Sequence, residues 1–391
     1  MMLNLKMLNL KMARCMRSFA VFFLLCEATW KREVIIITEK QIQNKIYSYL
    51  VTQNEHVILE HMPDHYYNLF WNSISILYEG GILTSAKSVE KFCNKLQLRG
   101  SYNRDKCLQG ISEMVFWLYA IRRNYSFEID KQLHTKNDKN NSDVDIQIVK
   151  DGYTYNIEVK TPNQVKKTDE SILNITIPFR SFERKDIQDE EVRKINRDIS
   201  QAIINNSQGK YTAYEQTKID DNKVIEYLRS GQTKFTYAPN SINVLALSVP
   251  SQQMDNYWGY LYNPFSGIFT DQFSGKFFDK KKNEIKHSEF DKVDVVLLTN
   301  IVEGHKRIVY EFDSWKLENY CSIFCINPFS QRTMKHCDVD VYKYLLDILP
   351  NDTVRFEKER DERNLQGEKL GIPTDPIFFS EYLYNHYYKL R

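Results

Sequence analysis

The sequence lacks an excess of charge of either sign. Lysine and arginine together number 53, aspartate and glutamate 51, and the net charge is +2. A strongly basic surface over the whole chain is therefore excluded, so binding to nucleic acid would depend on local basic clusters. Three such clusters are Lys166-Lys167, Arg193-Lys194 and Lys280 to Lys282. With 42% hydrophobic and 27% charged residues, the composition is that of a globular protein and not of a disordered one.

The sequence also lacks an apolar run of the about 20 residues that a transmembrane helix needs. The short run Phe19 to Cys26 follows Arg14 and Arg17, and this order resembles a secretory signal. MLNLK occurs twice in tandem within the first eleven residues. Residues 1–31 are therefore a signal segment, an extension upstream of the true start, or a helix that packs on the body of the protein.

The cysteines lack the even number and regular spacing of a disulfide framework. There are seven, which favours reduced thiols and a cytoplasmic protein, with secretion as the alternative if the N-terminal run is a signal. Cys321, Cys325, His336 and Cys337 could together hold zinc, but their spacing differs from that of the short Cys-x2-Cys knuckles. Buried thiols are the better interpretation.

Helical and strand-like patterns divide the chain. Residues 32–104 are predicted to be mainly helical, beginning with a capping-box pattern at Thr38 and Gln41. From Asp105, strands are interleaved with helices, which predicts an α/β or mixed α+β core over residues 105–330. A C-terminal helical region is predicted over residues 331–391. The predicted strands are 126–132, 143–149, 153–160, 242–249, 294–299, 307–312 and 320–326, and the predicted helices of this part are 105–124, 189–206, 221–230, 338–349 and one from Phe379.

Residues 142–162, SDVDIQIVKDGYTYNIEVKTP, carry the most specific pattern. Two alternating strands flank Asp151-Gly152, a strong hairpin signal. With these two as the turn, Asp145 faces Glu158 and Asp143 faces Lys160, all on one side of the ribbon. The apolar residues, Val144, Ile146, Ile148, Ile157 and Val159, then all lie on the reverse side.

Two carboxylates placed directly opposite each other repel, and a divalent cation between them removes the conflict. Mg²⁺ binds oxygen ligands and accepts one or two carboxylates together with water and phosphate. A lysine beside such a pair can orient a water molecule and stabilise charge on a phosphate. The motifs G-x-S-x-G, H-E-x-x-H and G-x-x-x-x-G-K-[ST] are missing, so a serine hydrolase, a zincin and a P-loop ATPase have no support.

The pattern Asp145, hairpin, Glu158-Val159-Lys160 resembles the PD-(D/E)XK, or restriction endonuclease-like, nuclease superfamily. The resemblance implies a mixed central sheet flanked by helices. It further implies that Asp145, Glu158 and the backbone carbonyl of Val159 bind Mg²⁺, for which Mn²⁺ can substitute, and that Lys160 assists the attacking water. A further metal-binding glutamate from the preceding helix corresponds to Glu113, and a supporting polar residue on the next helix corresponds to Gln201.

The family's proline before the aspartate is replaced by Val144, which leaves Asp143 as an alternative ligand or a supporting residue. The resemblance implies an endonuclease acting on DNA rather than RNA, of restriction, phage-defence or mobile-element type, with no membrane partner and with a homodimer as one option. Alternatives stay open. The fold could be a catalytically inactive binding or scaffold module, the acidic residues could form a solvated sheet face paired with Lys160, and Glu113 could be an ordinary exposed helix residue.

Overall fold

A computed structural model describes most of the chain between residues 37 and 370. The described residues are 37–53, 55–62, 64–133, 143–162, 172–176, 213–217, 221–263, 267–271, 285–305, 312–336 and 341–370, with the single residues 190, 193, 197, 200, 201, 204 and 205. The N-terminal segment 1–31, nearly all of the strand predicted at 307–312 and the helix predicted from Phe379 lie outside them. Of the predicted helix 189–206, the seven described residues are helical.

The predicted helical region is present as three helices that lead into a fourth. They are α1 Glu39–Leu50, α2 His65–Glu79, α3 Ala86–Lys95 and α4 Arg104–Arg122. Thr38 and Ser85 begin α1 and α3 with capping boxes, which satisfy backbone N–H groups that a helix leaves free at its start. An unbroken run of α4, from Gly110 to Ala120, is buried, so α4 is the central helix of this layer and not an amphipathic surface helix.

The rest of the described chain forms strands separated by helices. The strands are β1 Ser126–Gln132, β2 Asp143–Lys150, β3 Tyr153–Lys160, β4 Ile172–Thr176, β5 Ala213–Thr217, β6 Ser241–Ser248, β7 Val295–Thr299 and β8 Ser322–Ile326. The helices are α5 Asp221–Lys234, α6 Met254–Tyr262, α7 Gln331–His336, α8 Val341–Leu346 and α9 Thr353–Leu370. Mixed α/β architecture is therefore confirmed. Among the described helices, none is long and apolar enough to cross a membrane.

Six strands form one mixed sheet in the order β1-β2-β3-β6-β7-β8. The β1-β2-β3 meander and the β7-β8 pair are antiparallel, whereas β3, β6 and β7 run parallel. The two parallel steps are reached through segments that contain α5 and α6, as parallel strands require a crossover connection. Strands β4 and β5 form a separate parallel pair.

Helices cover both faces of the six-stranded sheet, which gives two hydrophobic cores. The first, called the α4-side core, joins α1 to α4 and α8 to residues such as Ile146, Ile157 and Val244. The second, called the α5-side core, joins α5, α6 and α9 to residues such as Leu245 and Leu247. β6 alternates between the two cores and is buried along its whole length. Its residues 244–247 form a continuous apolar run, as is typical of strands in a doubly covered sheet.

Candidate active site at the end of the β2–β3 hairpin

The hairpin that carries the acidic residues has the predicted turn and register. Asp151 and Gly152 have φ values of 51° and 80°, the left-handed pair that a two-residue turn of type I′ requires. Lys150 pairs with Tyr153, and the ladder continues to Ile146 opposite Ile157. It stops there, so the positions of Asp145 opposite Glu158, and of Asp143 opposite Lys160, are not ladder pairs.

Asp145 lies just beyond the point where the ladder stops, and its side chain contacts β3. Its Oδ2 accepts a 2.8 Å hydrogen bond from the backbone N–H of Val159, and its backbone carbonyl accepts a 3.4 Å bond from the indole of Trp117. The expectation of one apolar face along β2 is wrong: Ile146 and Ile148 belong to the α4-side core, but Val144 belongs to the α5-side core. The physical reason is that β2 departs from regular pairing at Asp145, whose side chain, not its backbone, meets β3.

Glu113 lies in the centre of α4 and is only 6% exposed. Its Oε2 accepts a bond from Lys95 Nζ, and its Oε1 accepts a 2.9 Å bond from Gln109 Nε2. The interpretation of Glu113 as an ordinary exposed helix residue is therefore wrong. Gly110 makes this contact feasible, because a Cβ at that position would overlap the carbonyl oxygen of Lys95 at the end of α3.

Glu158 is completely buried, which excludes a solvated sheet face at this position. Its Oε1 lies 2.5 Å from Lys160 Nζ and 2.6 Å from Lys234 Nζ. Its Oε2 is buried and has no hydrogen-bond partner among the described residues. A buried, unpaired carboxylate oxygen is costly, so this atom needs a further partner.

The charges of Glu113 and Glu158 both act on the carboxyl group of Asp145. Its burial raises the pKa of its carboxyl well above the ordinary value, and the charges of Glu113 and Glu158 raise this pKa further. Lys95 and Lys234 act in the opposite direction, but their effect does not prevail. The charges of these three carboxylates therefore affect one another in a poorly solvated region, where like charges disfavour simultaneous ionisation.

Three lysines supply the balancing charge, and two of them, Lys95 and Lys234, were not identified from the sequence. Lys95 Nζ contacts Glu113, lies 3.3 Å from Asp130 Oδ1 and 4.0 Å from Asp145 Oδ1. Burial by itself lowers the pKa of Lys95, but Glu113 and Asp145 raise it more, so the net shift is upward. Burial also lowers the pKa of Lys160, but Glu158, with Asp145 and Glu113, raises it more, so its net shift is upward too. Both ammonium groups therefore remain charged.

Gln109, on α4, is a further residue that sequence reasoning missed. Its Nε2 donates to Glu113 Oε1 and, at 2.7 Å, to the Val159 carbonyl. Its Oε1 accepts a 2.7 Å bond from the N–H of Thr161. One side chain thereby ties α4 to both sides of Lys160. A search for a glutamine one helical turn before Glu113 could have identified it.

The two remaining predicted residues are Asp143 and Gln201. Asp143 begins β2 and pairs with Gln132 of β1. The expected pairing of Asp143 with Lys160 is not formed, since Lys160 binds Glu158 instead. Gln201 is an exposed helical residue whose amide donates a 2.9 Å bond to Asn205, and no described contact links it to Asp145 or Glu158.

The predicted metal ligands are suitable in kind for a hard cation. Glu113, Asp145, Glu158 and the Val159 carbonyl offer only oxygen atoms, as Mg²⁺ prefers, and Glu158 Oε2 has no other partner. The Val159 carbonyl already accepts from Gln109, but a carbonyl has a second lone pair. In the described part of the chain, no three acidic, histidine or cysteine side chains are arranged as a closed metal site. Lysine ammonium groups occupy the neighbourhood of the carboxylates instead.

The cysteines considered as zinc ligands, Cys321 and Cys325, form no metal site among the described residues. Cys325 is buried in β8 and Cys321 is partly buried, and both are free thiols. Burial raises the pKa of Cys321 to about 11 and that of Cys325 still further, so both are protonated at neutral pH. This agrees with buried thiols. Cys337 and the side chain of His336 lie outside the described part.

Comparison of the chain with models of protein families, with curated proteins and with solved structures gives no significant match. The arrangement of Glu113, Asp145, Glu158 and the lysines is therefore interpreted from its own geometry.

Proposed function

We propose that this chain is a Mg²⁺-dependent endonuclease of the PD-(D/E)XK type, which hydrolyses phosphodiester bonds in DNA. One observation carries the proposal: Glu158 is fully buried beside Lys160, with one carboxylate oxygen that has no partner among the described residues. A buried carboxylate oxygen without a partner is costly, and a bound cation would provide that partner.

The acidic residues have distinct parts in this proposal. Asp145, Glu158, Glu113 and the Val159 carbonyl would hold the cation. The bond from the Val159 N–H keeps the Asp145 carboxylate at the end of the hairpin, and Gln109 holds Glu113 and the Val159 carbonyl together. Bound Mg²⁺ would supply a Lewis acid that makes water more acidic and neutralises charge on the phosphate.

Lys160 is proposed to stabilise the charge that develops on the phosphoryl oxygens. Hydrolysis joins a water oxygen to phosphorus and breaks the bond from phosphorus to a sugar oxygen. The water gives up a proton and the departing sugar oxygen gains one. The Lys160 ammonium stays charged beside Glu158 because the pKa of Lys160 is raised. It can therefore act as a positive charge, or donate a hydrogen bond, without first having to take up a proton.

The alternative is a nuclease-fold module without catalysis, and one observation favours it. Lys95 pairs with Glu113, and Lys160 and Lys234 pair with Glu158, so lysines balance much of the acidic charge without a metal. Lysines that fill a metal site permanently would leave a rigid, inactive scaffold. Lysines that exchange for a cation would leave an enzyme.

Cleavage assays distinguish the two. Purified protein is incubated with plasmid DNA and with RNA, in Mg²⁺, Mn²⁺ or EDTA, together with the variants Asp145→Asn, Glu158→Gln and Lys160→Met. We expect DNA cleavage that EDTA abolishes and that each variant lowers at least about 100-fold. Asp151→Asn in the turn and Lys131→Met on β1 are the matched controls, and both should cleave like wild type. Cleavage that is equal in wild type and all three site variants would exclude this site. A metal-binding protein that cleaves neither DNA nor RNA supports the inactive module.

A further inference from the structure

A cavity of about 320 Å³ adjoins the acidic centre. It lies beside α3, and Lys87, Lys91 and Lys95 line it together with Asp130 of β1. Lys95 belongs to both places, because the same Nζ that lines the cavity contacts Glu113 and approaches Asp145. A ligand in this cavity would therefore lie next to the proposed reaction centre and not at a remote surface.

The charge of the cavity favours an anion. Asp130 is its one carboxylate, and it is shared between Lys91, at 2.5 Å, and Lys95, at 3.3 Å. Lys87 has no carboxylate partner in the described part of the chain. The side chain of Lys91 is 58% exposed, so a ligand can reach its ammonium group while it stays paired with Asp130. Lysine ammonium groups are effective point charges for phosphate.

Part of the cavity lining is apolar. The half-buried side chains of Ile82 and Ile129 contribute to it, together with Phe92 and Trp117, which are each only 2% exposed. A small inorganic anion would leave this apolar part without a partner. A ligand that carries both a phosphate and a flat ring, as a nucleotide does, would use both the lysines and the apolar part of the lining. The volume is at the lower end of the roughly 300–1,000 Å³ of ligand pockets, which suits one nucleotide rather than a length of strand.

We propose that this cavity is a nucleotide subsite, in which Lys87 and Lys91 hold the phosphate and the apolar part of the lining, with Ile82 and Ile129, receives the base. The assignment of this nucleotide to the substrate strand, next to the bond that is cleaved, rests on the proposed nuclease function. Binding of a free mononucleotide to this cavity does not rest on the nuclease function, because it requires neither Mg²⁺ nor catalysis.

Calorimetric titration in EDTA tests the subsite with three probes: thymidine 5′-monophosphate, thymidine and inorganic phosphate. Wild type should bind the monophosphate more tightly than either part alone. The double variant Lys87→Gln/Lys91→Gln should bind it about tenfold more weakly, and Lys40→Gln/Lys106→Gln, which changes two exposed lysines elsewhere, should bind like wild type. Circular dichroism confirms that both double variants are folded, which the exposure of Lys87 and Lys91 leads us to expect.

The proposal is overturned if the monophosphate does not bind, if it binds the double variant as well as wild type, or if phosphate alone binds as tightly. Glu158→Gln separates this result from the nuclease assay, since it should retain monophosphate binding while losing cleavage. Monophosphate binding without any cleavage of DNA or RNA supports the subsite and contradicts the nuclease. Cleavage without monophosphate binding supports the nuclease and contradicts the subsite.

Discussion

Lys234 Nζ lies 2.6 Å from Oε1 of Glu158, so the last residue of α5 provides a second ammonium group for a carboxylate in the middle of the sheet. Lys160 alone would give Glu158 a single cationic partner from its own strand. The pair with Lys234 joins the helix layer on one face of the sheet to the hairpin that carries the acidic residues. The charge balance of the site therefore depends on α5 as well as on β3.

Replacing Lys234 by methionine should destabilise the protein in the absence of metal. The variant keeps most of the apolar volume but leaves Glu158 with one ammonium partner, and losing a charged hydrogen bond to a buried group costs about 1–3 kcal/mol. Urea unfolding in EDTA measures the loss. Lys131→Met, which removes a partly exposed pair with Glu128, should cost no more than about 1 kcal/mol. Equal losses in the two variants would show that Lys234 has no special role at Glu158.

Asp145→Asn should stabilise the protein without metal at neutral pH. The raised pKa of Asp145 means that the folded state holds its proton at pH values where the unfolded chain has released it. The stability contributed by this group is therefore present at low pH and lost as pH rises through the folded pKa. Asparagine cannot ionise, so its advantage should grow with rising pH and vanish below about pH 4, near the ordinary aspartate pKa.

Urea unfolding of both proteins in EDTA from pH 4 to pH 8 gives the comparison. The exposed turn variant Asp151→Asn is the control and should follow wild type across the range. An Asp145→Asn variant that is less stable than wild type at pH 7 would contradict the raised pKa.

Two glutamines can be compared directly for their effect on the site. Gln109→Leu removes the bonds to Glu113, to the Val159 carbonyl and to Thr161 N–H, which should cost about 1–3 kcal/mol and weaken Mn²⁺ binding. Gln201→Leu removes an exposed bond to Asn205 and should change stability by less than about 0.5 kcal/mol. Thermal unfolding and calorimetry with Mn²⁺ provide the measurements. Stronger loss of Mn²⁺ affinity in Gln201→Leu would reverse this ranking.

Protonation of the buried His56 ring should make the protein less stable in mild acid. Burial lowers the pKa of His56 to about 4, and both ring nitrogens are used, with Leu96 carbonyl 2.8 Å from Nε2 and Ile58 N–H donating to Nδ1. Since the unfolded chain takes up the proton first, stability is full above the ordinary pKa of 6.5 and falls by about 3 kcal/mol as pH drops toward 4.

The variant His56→Asn should show a flatter dependence of unfolding free energy on pH between 7 and 4.5. His65→Asn replaces an exposed histidine and should keep the slope of wild type. An unchanged slope in His56→Asn would mean that other groups cause the acid sensitivity.

The sequence predicted those parts of the site that depend on neighbours along the chain. Asp151-Gly152 determines the turn, and the turn determines the register as far as Ile146 opposite Ile157. Asp145 and Glu158 are the next residues of the two strands, beyond the ladder. The strict alternation of faces failed at Val144, because a side-chain to backbone bond at Asp145 replaces regular pairing. Periodicity describes regular strands and has no means of indicating where a strand departs from its ladder.

The cations of the site were harder to predict for another reason. Lys95 and Lys234 end two helices that lie on different faces of the sheet, and each is an ordinary lysine by its sequence context. Their approach to Glu113 and Glu158 follows from how the layers pack, which includes the close contact of Gly110 with the end of α3. Local patterns carry no information on such long-range contacts.

The placement of Glu113 and Lys95 in one layer, and of Lys234 in the other, has a consequence for assembly. The charges balance only when both layers are present: the layer of α4 brings one acid and one amine, the hairpin brings two acids and one amine, and α5 brings the last amine. A partly folded protein that has lost α5 would hold uncompensated negative charge in its interior. The acidic site is therefore balanced in charge only when the helices on both faces of the sheet are in place, so an intact site indicates that the whole fold has formed.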